Sequence, residues 1–212
     1  ILGFIVAVIA GTLGATGDEI ELIFVRPDII AIIGVIAALL SFPLIKKATS
    51  RSSKTFPFEF LAFQPINRTT LVKVLFAGVG YYIFATLISY ALSIDTPQFM
   101  LDVKAQTHTA FDVLMLVLGV CIVAPIVEEI IFRGLAYARL VQSRAGITGA
   151  IIITSLVFTA IHIQYEFIVL VILSLFAFLL GYVRYKTGNI IYCIALHMQL
   201  NVFSTIELFV LF

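Results

Sequence analysis

The sequence predicts an all-α, multi-pass transmembrane helix bundle of about seven spans, and two observations carry that prediction. Of its 212 residues 62% are hydrophobic and only 12% are charged, with a mean hydropathy of +1.16; soluble globular domains carry about a quarter of charged residues. Apolar runs near the ~20 residues needed to cross a hydrocarbon core also recur along the chain. By length they fall at roughly 1–16, 29–45, 71–94, 108–140, 147–164, 166–183 and 189–211. The expected location is a cell membrane or endomembrane.

The first run lacks a basic n-region and a small-residue cleavage site, and other spans follow it, so it reads as a span and not a signal peptide. The chain starts ILGF without an initiator methionine and ends ELFVLF, which reads as a piece of a longer protein. Between the second and third runs, KKATSRSSK leads into the aromatic stretch FPFEFLAFQPINR. The basic linker over 46–70 is expected to be cytoplasmic, and its aromatic part either lies in the interface or is a solvated loop. A net charge of +1 with no basic stripe gives no reason to expect a nucleic-acid partner. Cys121 and Cys193 sit in apolar runs without Cys-x-x-Cys spacing, so they read as small buried hydrophobes.

Loop charge sets the expected orientation, because Lys and Arg are retained on the cytoplasmic side. Lys46, Lys47, Arg51 and Lys54, then Arg139 and Arg144, then Arg184 and Lys186 mark alternate loops. The intervening loops carry Asp18, Glu19, Glu21 and Asp28, then Asp95 and Asp102, then Glu166. This places the N-terminus inside and the end of the seventh run outside. Two units are expected: N-terminal helices over 1–106, and a four-helix core over 107–212 that carries the chemistry.

That core holds the polar intrusions. Glu128 and Glu129 stand side by side in CIVAPIVEEIIFRG, His162 lies in ITSLVFTAIHIQ, and His197 and Asn201 lie in IIYCIALHMQLNVF. A carboxylate at bilayer depth costs at least about 2.5 kcal/mol, so such groups are usually paired, cavity-facing and functional. Counted from a turn near Ala145 and Gly146, Glu128 and His162 both lie about 17 residues, or roughly 25 Å, into their helices. His197 and Asn201 fall in the same layer once tilt is allowed. Glu129 and Arg133 are an i, i+4 ion pair in the favourable order, and Glu128 points about 100° away, free for chemistry. Phe158 lies one turn below His162 and is placed to pack its ring. Each feature alone has a plain structural explanation, an interhelical hydrogen bond or a scaffold ion pair; the set at one depth points to a working site.

These residues resemble a known family. EEIIFRG (Glu128, Glu129, Arg133), FTAIH (Phe158, His162) and HMQLN (His197, Asn201), in this order on three apolar segments, are similar to the three motifs of the CAAX protease and bacteriocin-processing (CPBP, or Abi) family of intramembrane glutamate proteases, which includes the type II CAAX prenyl endopeptidases. The similarity covers roughly 115–202, and FAFLLGYVRYKTGNIIY resembles the helix before the last motif, with Ala177 where glycine is common. The resemblance implies an endopeptidase without a prosthetic group, acting on a peptide or lipidated protein in the bilayer. Glu128 and His162 would activate water, and His197 and Asn201 would stabilise the oxyanion. Two alternatives remain: a zinc protease with Glu128, His162 and His197 as ligands, although no H-E-x-x-H occurs, and a transporter or membrane partner protein whose polar cluster relays ions or fixes packing.

Overall fold

The computed structural model describes residues 16–50 and 60–211, and all secondary structure among them is helical. In chain order the helices are α1 (Gly17–Phe24), α2 (Pro27–Ser50), α3 (Arg68–Ala91), α4 (Gln98–Ala105), the long rod α5 (Ala110–Val141), α6 (Gly146–Ala160), α7 (Phe167–Thr187) and α8 (Ile190–Leu211). Five of these, α2, α3, α5, α7 and α8, are long and apolar enough to cross a membrane, and α6 is a shorter apolar helix. The chain is a multi-pass integral membrane protein. The first expected span, 1–16, lies almost wholly outside the described residues, as do residues 51–59 of the basic linker.

Local chemistry fixes the helix ends. Thr109 and Asp112 form a reciprocal capping box at the start of α5. The Asn67 side chain accepts from the Thr70 amide at the start of α3. Gly188, at φ 64°, gives α7 its left-handed cap, a conformation glycine adopts without penalty. Lys104 of α4 donates to the carbonyl of Leu208 near the end of α8 and so holds α4 there.

Two expectations need correction. The fifth span was expected to run to residue 164, but α6 ends at Ala160 and His162 stands in the turn that follows. Its ring Nδ1 lies 2.7 Å from the Phe158 carbonyl, which a continuing helix would have given to the His162 amide. That amide bonds Thr159 instead, so side chain and backbone compete for one acceptor and the helix stops. The fourth span is also not a uniform α-helix: Val117–Val123 and Ile130–Ala136 are π-helical, on either side of the α-helical turn carrying the two acids. A π turn leaves a carbonyl without its usual partner. Here Val120 O accepts from Asn201 Nδ2 at 2.8 Å and Arg133 O from Arg184 Nε at 2.9 Å.

The main apolar core joins α3, α7 and α8 through Val74, Phe176, Leu180, Tyr192, Cys193 and Leu196. Gly119 brings α5 against α2 so closely that a Cβ there would meet Ala31 backbone atoms at 3.0 and 3.1 Å, the small-residue packing favoured between membrane helices. At one end of the bundle the Asn189 side chain bonds the 64–65 backbone, and the Tyr192 hydroxyl accepts from the Asn67 amide at 2.7 Å.

Candidate active site

Glu129 and Arg133 have no exposed surface, and Glu129 is held from two sides: Arg133 Nη1 reaches Oε1 at 3.1 Å and His197 Nδ1 reaches the same oxygen at 2.9 Å. Because Oε1 accepts from Arg133, the hydrogen in its bond to His197 is carried by Nδ1. The second Arg133 nitrogen, Nη2, donates to the carbonyl of Ala177 at 2.9 Å, and the guanidinium lies 4.7 Å from the Phe158 ring centroid. One ion pair thus ties α5 to α7 and α8.

Glu128 differs from its neighbour in every respect. A quarter of its side chain is exposed, and its Oε2 lies 3.8 Å from His197 Nε2. The i, i+4 spacing pairs Glu129 with Arg133 as the structure has them, but it does not record the bond from Glu129 to His197, which brings the buried acid next to the histidine.

Phe158 is the hub that brings the histidines together. It is fully buried, its ring lies 4.7 Å from that of His162, and His197 meets it edge-on at 5.7 Å. Phe176 closes the other side of His197 at 5.5 Å, and Phe132 packs on Phe158 at 5.4 Å. Both histidines have Nδ1 engaged, by Phe158 O and by Glu129, which leaves both Nε2 atoms for other partners. Asn201 shares the His197 face, as its spacing predicts, but one N–H of its amide is spent on Val120 O. Its second N–H and its oxygen remain for a ligand. Among the described residues no group of three or more His, Cys, Asp or Glu is arranged to hold a metal ion.

The sequence reading missed Tyr165. Its ring lies parallel to His162, with centroids 6.3 Å apart and planes 8° apart, so His162 is held between Phe158 and Tyr165. Phe99 of α4 meets Tyr165 edge-on at 6.1 Å. Burial, with the nearby charge of Glu128 adding to it, pushes the Tyr165 phenol up to about 12, so it stays neutral at physiological pH. The only signal in the sequence was an aromatic three residues after His162.

Residues 110–203 match the family model described as type II CAAX prenyl endopeptidase, Rce1-like. The match makes this segment similar to that family without extending to the rest of the chain. It contains every residue singled out above except Phe99. An uncharacterized 24.3 kDa protein of Escherichia coli is 33% identical over 122 residues, 56% of this chain, and the chain spans 55% of that relative's length. No solved structure matches the chain. The matched segment opens in the first turn of α5 and ends on α8 two residues past Asn201, so it takes in both π turns and the whole Phe158 hub.

Proposed function

We propose that the chain is an intramembrane endopeptidase whose catalytic unit is the segment 107–212 and whose base is Glu128. The observation that carries this is the contrast between two adjacent acids: Glu129 is sealed and committed to Arg133 and His197, whereas Glu128 is accessible and stands beside the same histidine. The family match to prenyl endopeptidases supports the reaction class.

In this reading Glu128 takes a proton from a water that His162 Nε2 helps to orient, and the water oxygen adds to the scissile carbonyl carbon. The free N–H of Asn201 faces the oxyanion that forms. His197 Nε2 joins it as a donor when the ring carries both protons. On collapse the C–N bond breaks and Glu128 returns its proton to the leaving amine. The products are a new carboxyl terminus and a new amino terminus. The substrate is a peptide or lipidated polypeptide reaching the site within the bilayer.

The test is to incubate the purified protein in detergent with a prenylated CAAX peptide, an unprenylated control, and a Glu128→Ala variant in parallel. Cleavage by the parent protein and none by the variant is expected. Cleavage that survives the variant would remove Glu128 from the mechanism.

A further inference from the structure

We propose that Arg184 is the receptor of an anionic-phospholipid site between α5 and α7, the free edge of its guanidinium taking the headgroup phosphate. Such a site stands whether or not the chain is a protease.

Arg184 is a buried cation without an acid. It lies in the last turn of α7, is only 8% exposed, and turns its head onto α5. Nε donates to the Arg133 carbonyl at 2.9 Å, and the guanidinium lies over the Tyr137 ring, 5.0 Å from its centroid. Arg133, the other buried arginine, has Glu129 as its counter-charge at 3.1 Å, whereas no carboxylate among the described residues pairs with Arg184. A charge taken out of water is normally paired, because an uncompensated buried ion is costly.

Two contacts fix which edge is open. Tyr137 covers a face of the guanidinium, and the Arg133 carbonyl occupies Nε. Nη1 and Nη2 have no hydrogen-bond partner among the described residues, and neither belongs with the sealed, unpartnered atoms of the interior, which are Glu129 Oε2, Arg133 Nε, Ser155 Oγ and Gln199 Oε1. Both Nη groups therefore reach the surface of the bundle as a fork already held in place, the geometry that takes two phosphate oxygens at once.

The surroundings select an anion and set its depth. The end of the bundle where α2, α5 and α7 finish and α3, α6 and α8 begin carries Lys46, Lys47, Arg68, Arg139, Arg144 and Lys186. No Asp or Glu lies among the described residues 44–50, 60–73, 137–150 and 182–195. Tyr182 and Tyr185 are 52% and 44% exposed, and Lys186 Nζ lies 5.6 and 5.2 Å from their ring centroids. Tyrosines beside a lysine at a helix end mark the membrane–water interface, where basic pockets between helices take anionic headgroups. A free phosphate meets the same fork but lacks the acyl chains that add apolar contact along the bundle wall.

The test follows thermal unfolding of the purified protein in neutral detergent as phosphatidylglycerol, phosphatidylcholine or inorganic phosphate is added. Phosphatidylglycerol should raise the unfolding temperature saturably and the other two should not. No shift with phosphatidylglycerol, or an equal shift with either of the others, overturns the proposal. Arg184→Gln keeps a donor for the Arg133 carbonyl but no charge, and should move the phosphatidylglycerol midpoint up by at least about tenfold, the loss of a charge-assisted hydrogen-bonded pair. Arg144→Gln removes an exposed cation from the same end and should leave the midpoint in place. An unmoved midpoint in Arg184→Gln removes the site, and an equal loss in both variants reduces the effect to diffuse attraction. Arg184→Lys serves where Arg184→Gln fails to fold: it keeps the charge and a donor but not the fork, and parent-like protection there overturns the forked receptor. Native mass spectrometry of the parent protein decides if neither variant folds. Phosphatidylglycerol retained where phosphatidylcholine is lost is expected, and no preference between them overturns the proposal.

Discussion

Glu129 gives one carboxylate oxygen to His197 Nδ1 at 2.9 Å, and that oxygen is also the one Arg133 reaches. The pair sits where no surface is exposed, so the ion pair that holds the bundle together also fixes which nitrogen of His197 carries hydrogen. Glu129→Gln leaves Arg133 buried without a counter-charge, and breaking a buried pair from one side costs about 3–5 kcal/mol. Thermal unfolding in detergent should fall clearly, and turnover with it. If turnover vanished at an unmoved unfolding temperature, Glu129 would belong to the chemistry and not to the scaffold.

Glu128→Gln keeps the shape but removes the proton acceptor. Turnover should drop by at least about 10²-fold, while the unfolding temperature holds, because a partly exposed side chain 3.8 Å from His197 is not part of the sealed core. Binding of an uncleavable lipidated peptide should survive. Retained turnover would move the base elsewhere.

These two predictions show how far the sequence was legible. Apolar run length located α2, α3, α5, α7 and α8, because membrane helices must satisfy their own backbone and so advertise themselves in composition. Helical spacing separated Glu128 from Glu129 and paired Phe158 with His162. Three things were not legible. The π turns of α5 depend on side-chain partners from α7 and α8 for the carbonyls they free, and no periodicity along α5 records them. The early end of α6 comes from a competition between the His162 ring and its own amide. Tyr165 acts through the fold of a loop, where spacing carries no register.

Tyr165 should act on the orientation of His162. Tyr165→Phe keeps the parallel ring and should keep turnover close to that of the parent. Tyr165→Ala frees one face of the imidazole, and loss of alignment at a reacting group costs about 10-fold to 10²-fold. The loss should appear in kcat and not in KM. Equal damage from both substitutions would show that the phenol hydroxyl, not the ring, is what the site uses.

Gly119 tests the packing that places the first π turn. A methyl group there meets the Ala31 backbone at 3.0 and 3.1 Å, which cannot give way as a side-chain end can. Gly119→Ala should therefore destabilise by about 1–3 kcal/mol. Gly80→Ala is the control, since nothing lies within 4 Å of a Cβ there, and a helical Gly replaced by Ala gains up to about 1 kcal/mol. Both are read by thermal unfolding in detergent, and equal shifts would remove the argument from close approach.

Asn201 decides between a glutamate-activated water and a metal-bound one. With one N–H committed to Val120 O, the amide has a single N–H left for a developing oxyanion. Asn201→Ala should lower kcat by a factor on the order of 10²–10³ with little change in KM, the pattern of an interaction made in the transition state. Because the same change strips Val120 O of its partner, thermal unfolding must be measured beside it, and Asn201→Asp, which keeps the size but offers no N–H when ionised, should lose kcat as well. In the glutamate mechanism a strong chelator leaves turnover unchanged. In a zinc mechanism the metal polarises the carbonyl, Asn201 matters little, and chelation removes activity that added zinc restores. Stoichiometric zinc in the purified protein together with chelator-sensitive turnover would overturn the assignment of Glu128 as the base.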